Sequence, residues 1–165
     1  MAERILGIDP GLNITGYGVI ERVAAAPPTL VEAGVIRSIA SHTLERRVQA
    51  IYEGVADVIG SLKPSVVAIE ELYSHYERPK TAILMAHARG VIYLAAAGAD
   101  LEVVSYPSTN VKKLITGAGR APKLQVQQSI QRELALPNLP EPPDVADALA
   151  IAMCHYYVGN KRKIA

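Results

Sequence analysis

The chain contains no tryptophan and no phenylalanine, so its eight aromatic residues are all tyrosines and a tyrosine at any one place says little by itself. A single cysteine, Cys154, excludes an internal disulfide framework and a cysteine-based zinc site. It lies in an apolar run, as a small buried residue does. The sequence has no internal repeat, no low-complexity tract and no linker that would divide two domains. Charged residues make up 20% and hydrophobic residues 50% of 165 residues, which argues against disorder and for a single domain, residues 1–165, with a substantial core. No charged-then-apolar leader opens the chain, and stretches such as Val91 to Ala99 fall short of the roughly 20 apolar residues needed to cross a bilayer. A soluble, cytoplasmic protein with no membrane partner is expected. His42, His75, His87 and His155 form no ligand pattern and are read as surface or packing residues.

A net charge of +1 does not mark a nucleic-acid binder, but its distribution is uneven. From Val103 to Arg132 there is no acidic residue, whereas Lys112, Lys113, Arg120, Lys123 and Arg132 are present. From Glu133 to Asp147 the pattern reverses, with Glu133, Glu141, Asp144 and Asp147 and no Lys or Arg. A basic strip beside an acidic cluster suits a site that grips phosphates and holds cations. The plainer reading is that these lysines and arginines solvate helix faces.

Arg4 to Asp9 reads as a buried strand that stops at Asp9-Pro10-Gly11. Asn13 to Val23 and Thr29 to Ser38 are rich in β-branched residues and are joined by a turn at Ala24 to Pro28. Short connections imply an antiparallel meander. Leu44, Val48, Ile51, Val55, Val58 and Leu62 then follow the spacing of one helix face, and Pro64 ends that helix. Ser65 to Tyr73 reads as a strand, Pro79 to Ala99 as a helix, and Leu101 to Tyr106 as a third core strand. Helices follow near Thr109 to Ile115, Pro122 to Leu134 and Asp144 to Tyr157. The order predicts an α/β fold, a mixed five-stranded sheet with helices on both faces in the ribonuclease-H-like arrangement.

Asp9 and Glu70 each stand at the end of an apolar strand, where side chains project from a rigid frame. If those strands are parallel neighbours, the two carboxylates converge. Their oxygens are hard ligands suited to Mg²⁺ or Mn²⁺, and two such ions activate water and stabilise a phosphodiester leaving group. Glu71 competes with Glu70, since only one of two consecutive strand residues can face Asp9, and periodicity does not choose. Asp144 and Asp147 are spaced to share one face at the start of the last helix. Following Pro142-Pro143, they also fit helix capping and the macrodipole. Capping and metal binding are compatible for Asp144.

These residues resemble the RuvC family of bacterial Holliday-junction resolvases. The resemblance rests on Gly7-Ile8-Asp9-Pro10-Gly11 with Thr15-Gly16-Tyr17-Gly18-Val19, on Ala68-Ile69-Glu70, and on Asp144 to Ala152. Ala88-Arg89-Gly90-Val91 and Lys123 to Gln127 also fit, so the likeness runs from Ile5 to about His155. It implies paired symmetric nicking of four-way (Holliday) DNA junctions, in homologous recombination and DNA repair. Mg²⁺ is implied as cofactor, with two ions per site and Mn²⁺ able to substitute. Asp9, Glu70, Asp144 and Asp147 are implied as catalytic metal ligands, with Glu70 preferred over Glu71. Glu71 itself stands where relatives often carry an uncharged polar residue. Tyr73 fills the place of an aromatic residue that stacks on DNA bases, and Lys112 and Lys123 match basic positions near the scissile phosphate. A homodimer and the RuvA–RuvB branch-migration complex are the implied partners. The apolar helix from Pro79 gives the dimer a surface, with one side free for a partner helix.

Three other readings are set against this one. An actin-like or sugar-kinase ATPase shares the core fold, but it needs two such domains to enclose a nucleotide. Thr116-Gly117-Ala118-Gly119-Arg120 is no phosphate loop, because it lacks the Gly-Lys-Ser/Thr ending, and reads as a flexible loop. A ribonuclease-H-like enzyme acting on RNA precursors differs in substrate, and a non-catalytic junction binder should lack one of the carboxylates.

Overall fold

The computed structural model describes residues 2–72 and 78–162. Three strands open the chain, β1 (Glu3–Asp9), β2 (Ile14–Arg22) and β3 (Thr29–Arg37), and form the antiparallel meander. Helix α1 (Leu44–Leu62), strand β4 (Val66–Glu70), helix α2 (Pro79–Gly98) and strand β5 (Glu102–Tyr106) follow. Helices α3 (Ser108–Thr116), α4 (Lys123–Glu133) and α5 (Pro143–Arg162) complete it. The sheet order is β3-β2-β1-β4-β5, with β4 and β5 parallel to β1. This is the mixed, ribonuclease-H-like sheet expected from the sequence.

Side-chain alternation along the central strands divides the core in two. Leu6, Ile8, Val67 and Ile69 face α1 and α2, whereas Ile5, Val66 and Ala68 face α3, α4 and α5. Helix α1 presents Ile51, Val55 and Ile59 to the sheet and ends as Lys63 turns left-handed (φ 51°) with its N–H on the Ile59 carbonyl. Pro64 follows, with no N–H to offer another turn.

Three expectations change. Strand β4 stops at Glu70 rather than continuing to Tyr73. Its neighbour β1 runs out at Asp9, and Pro10 has no amide to extend the ladder. Helix α2, at 20 residues, is long and apolar enough by length and composition to cross a membrane, which Val91 to Ala99 alone did not suggest. One side of α2 carries Ala88, Ile92, Ala95 and Ala96 onto the sheet, so it is laid down as a core helix. The stretch from Thr116 is also better fixed than a flexible loop. Gly117 (φ 84°) caps α3 on the Lys113 carbonyl, and the Thr116 hydroxyl bonds to Ala118.

Helix α5 lies directly on β1 and β2 because small residues let the backbones meet. A Cβ on Gly7 would stand 2.1 Å from the Ala148 carbonyl oxygen, and one on Gly16 would stand 2.2 Å from that of Asp144. Both glycines thereby set the height of the helix carrying Asp144 and Asp147 above the strand carrying Asp9. Gly7→Ala is expected to cost at least about 1–3 kcal/mol, the usual range for overpacking. Gly60→Ala, where a Cβ meets nothing on exposed α1, should instead stabilise by about 0.5–1 kcal/mol. Urea unfolding of the two variants checks both signs, and a neutral Gly7→Ala would contradict the close approach.

Candidate active site

The β1–β4 register pairs Ile8 with Ile69, so Asp9 and Glu70 are the next residues on adjacent parallel strands. Both lie on the face turned to α5, in line with Gly7 and Ala68. Their side chains lie close enough for Glu70 to act directly on the Asp9 carboxyl. Beyond Asp9 the chain is held by the fully buried Thr15, whose hydroxyl donates to the Gly11 carbonyl at 2.8 Å and accepts from the Gly11 N–H at 3.3 Å. That closes the turn on which Asp9 sits.

Asp144 lies in the first turn of α5, which begins at Pro143, and Asp147 is one turn further on. Asp144 is thus inside the helix rather than at its N-cap, although its charge still favours that end of the helix. All four carboxylates are half-buried. Burial, the hydrogen bond with Glu70, and the charges of Glu70, Asp147 and Asp144 push the Asp9 carboxyl up to about 9. Asp147 is pushed up to about 6 by burial and by Glu70, while Lys112 and Lys123 pull the other way. The four side chains therefore share one electrostatic field.

Lys112 on α3 is half-buried and lines a small cleft of about 40 Å³ with Glu70, Ser108 and Asp147. Lys123, the first residue of α4, is exposed and close enough to act on Asp147. The structure thus places both of these lysines near Asp147. Glu71 goes elsewhere. It is exposed, lies past the end of β4, and lines a separate cavity with Tyr106, Lys113 and Cys154. Tyr73 lies outside the described residues. His155 is a packing residue, its Nδ1 2.8 Å from the Tyr106 hydroxyl.

Reading the sequence did not reveal the parts played by Thr15 and Arg89. The Arg89 guanidinium, reaching from α2, donates to the Glu70 carbonyl. Its hints in sequence are an arginine in the middle of an apolar helix and the place of Ala88-Arg89-Gly90-Val91 in the family resemblance.

The arrangement suits a hard divalent cation. Its donors are carboxylate oxygens alone, and the raised Asp9 carboxyl keeps a proton where a cation would otherwise neutralise the charge. Among the described residues, no group of three or more His, Cys, Asp or Glu side chains is already drawn together as a metal cage. Like charges without a counter-ion have no reason to close further.

Residues 5–155 match the family model described as crossover junction endodeoxyribonuclease RuvC. A relative of that name from Rhodopirellula baltica is 53% identical over 159 residues, covering 96% of this chain and 89% of the relative. One from Moorella thermoacetica is 47% identical, covering 92% and 89%. The solved structure of Thermus thermophilus RuvC in complex with a Holliday junction substrate superposes with a TM-score of 0.89 at 30% identity, covering 97% of this chain and 96% of that one.

The raised Asp9 carboxyl has a consequence for stability. Between the unfolded value near 4 and the folded value of about 9, the folded chain holds a proton that the unfolded chain has lost. Metal-free stability should therefore fall as pH rises through that window, with Asp147 adding to the fall up to about pH 6. Asp9→Asn removes the larger contribution. In EDTA at pH 8 its Tm should exceed the parent's by several degrees, about what 1–2 kcal/mol produces in a domain of this size. The gap should close near pH 4, and equal melting temperatures at pH 8 would contradict the burial of this charge.

Proposed function

Because the chain belongs to the RuvC family of crossover junction endodeoxyribonucleases, we propose that it resolves four-way DNA junctions by metal-dependent hydrolysis at Asp9, Glu70, Asp144 and Asp147. The observation that carries this reading is the convergence of those four carboxylates at one end of the sheet, with Lys112 and Lys123 beside them. Recombination and repair of DNA follow as its role. We take residues 1–165 as one nuclease domain, acting on DNA in the cytoplasm.

Mg²⁺ is the cofactor we assign, two ions per site with Mn²⁺ able to substitute, held by the four carboxylates. Such ions supply an activated water and charge stabilisation at the phosphodiester. The protein's own residues do the rest. Asp9 and Glu70, fixed by adjacent strands, define the floor of the site, and Asp144 and Asp147 close it from α5. Lys112 is placed to meet a phosphate beside Asp147, and exposed Lys123 extends the positive edge outward. Both should weaken junction binding when removed, and each lost phosphate contact should flatten the salt dependence by roughly one unit. Tyr73 follows Glu70 closely in sequence, and we assign it to stacking on a base near the junction.

A two-fold substrate calls for a two-fold protein. The outer side of α2 supplies the surface: Ile83 and Leu94 are 59% and 60% exposed, with Ala86, Gly90 and Ala97 exposed along the same stripe. A Cβ on Gly90 would meet nothing, so a second helix can approach closely there. We propose a homodimer through this stripe, and the RuvA–RuvB branch-migration complex as partner. Leu94→Glu should convert the dimer to monomer in sedimentation at micromolar concentration. A parent that sediments only as monomer would contradict the pairing.

Asp9→Asn, Glu70→Gln, Asp144→Asn and Asp147→Asn should each slow nicking of a synthetic four-way junction in Mg²⁺ by about two to three orders of magnitude. Metal ions contribute several kcal/mol to such transition states, at about 1.4 kcal/mol per factor of ten. Junction affinity should persist or rise, because phosphate repulsion is reduced. Glu71→Gln is the control and should change the rate little. Equal losses in Glu71→Gln and Glu70→Gln would overturn the site, and preferred cutting of an RNA substrate would overturn the junction reading.

A further inference from the structure

The end of β4 is pinned from a direction that the active-site residues do not use. In a parallel ladder, alternate residues turn both backbone groups to one neighbour and then to the other. The Glu71 N–H donates to the Tyr106 carbonyl at 2.9 Å, so Glu71 faces β5 and the Glu70 carbonyl faces β1. Register then makes residue 10 of the β1 chain the next donor, and that residue is Pro10. Proline has no N–H, so the ladder leaves the Glu70 carbonyl without a partner at the point where Glu70 must be held. Arg89 fills the gap, donating from α2 to that carbonyl.

The arginine is itself restrained. Its guanidinium lies 5.5 Å from the centroid of the Tyr93 ring, one helical turn on, and is 3.3 Å from the Tyr93 hydroxyl. That hydroxyl is 3.0 Å from the Ser105 Oγ on β5. Carbonyl 70 and amide 71 belong to one peptide plane, which is thus gripped by Arg89 on one side and by Tyr106 on the other. Rotation of that plane would swing the Glu70 carboxylate relative to Asp9.

We propose that Arg89 is a positioning residue for Glu70, replacing the ladder bond that Pro10 cannot make and fixing the peptide plane on which the Glu70 carboxylate depends. The inference rests on the nuclease reading above. Arg89 touches neither substrate nor metal; it acts through the backbone. Misplacement of a catalytic group by about 1 Å costs on the order of a hundredfold in rate, so the clamp's removal is visible without unfolding.

The test compares Arg89→Gln, Arg89→Lys and Tyr93→Phe in the full chain. Arg89→Gln should slow single-turnover cutting of a four-way junction by about 10–100-fold, with junction affinity in EDTA within about threefold of the parent. The Mn²⁺ concentration that half-saturates the rise in Tm should increase, because Glu70 is no longer held towards Asp9. Arg89→Lys keeps one donor within reach of the carbonyl and should recover part of both losses. Tyr93→Phe should show a smaller loss of the same kind. Parent-like cutting and parent-like Mn²⁺ response in folded Arg89→Gln would overturn the clamp, as would a lowered Tm with neither loss. Should Arg89→Gln not fold, Arg89→Lys and Tyr93→Phe decide, and parent-like behaviour of both overturns it. A parent that does not cut junctions would overturn the nuclease reading instead, and the Mn²⁺-induced rise in Tm then tests the clamp alone.

Discussion

Mutual repulsion among four half-buried carboxylates is the constraint on which this structure depends. Asp9, Glu70, Asp144 and Asp147 come from two strands and one helix; Glu70, Asp147 and Asp144 make ionisation of Asp9 harder, and Glu70 and Asp144 do the same to Asp147. A fold does not gather such groups for stability, because a buried charge without a partner is costly. Here the proton that burial and its neighbours hold on Asp9 relieves part of the repulsion, and Lys112 and Lys123 relieve part of the rest at Asp147. A divalent cation would relieve it more completely. The site is therefore an electrostatic trap held open by the surrounding packing.

That packing has to resist the tendency of the carboxylates to separate. Parallel pairing of β1 with β4 sets Asp9 against Glu70, and Gly7 and Gly16 let α5 descend until its first turns overlie them. The two apolar clusters on either side of the sheet supply the energy, since each buried aliphatic side chain contributes about 1.5–3 kcal/mol. Asp9 is further fixed by the Thr15 closure of its turn, and Glu70 by the two-sided grip on its peptide plane. Strand ends serve this purpose well, because the frame behind them is rigid while the side chains remain accessible.

Much of this was legible in the sequence, for identifiable reasons. Element types followed from period and from Pro64, and Asp9 and Glu70 stood out as acids at the ends of apolar strands. The choice of Glu70 over Glu71 was not legible from periodicity, because it depends on where β4 stops. That in turn depends on Pro10, just past the end of β1. Asp144 and Asp147 read equally as helix-end charges until the fold set α5 against Gly16. The parts played by Arg89, Thr15 and the glycines are long-range contacts, which no local pattern encodes. Helix α2 was legible as a helix with two apolar sides, and its exposed apolar side is what makes it long and apolar enough for a membrane span although its other side lies on the sheet.

The central claim, that a cation takes the place of the proton held on Asp9, is open to direct measurement. Calorimetric titration of the apo-protein with Mn²⁺, repeated at one pH in buffers of different ionisation enthalpy, counts the protons released on binding. With Asp9 held up to about 9, close to one proton per chain should leave at pH 7, and the number should shrink as pH rises through 9. Asp9→Asn should release almost none at pH 7, where Asp147, pushed up only to about 6, is already largely ionised. Mn²⁺ binding to the parent at pH 7 with no proton released would contradict the account.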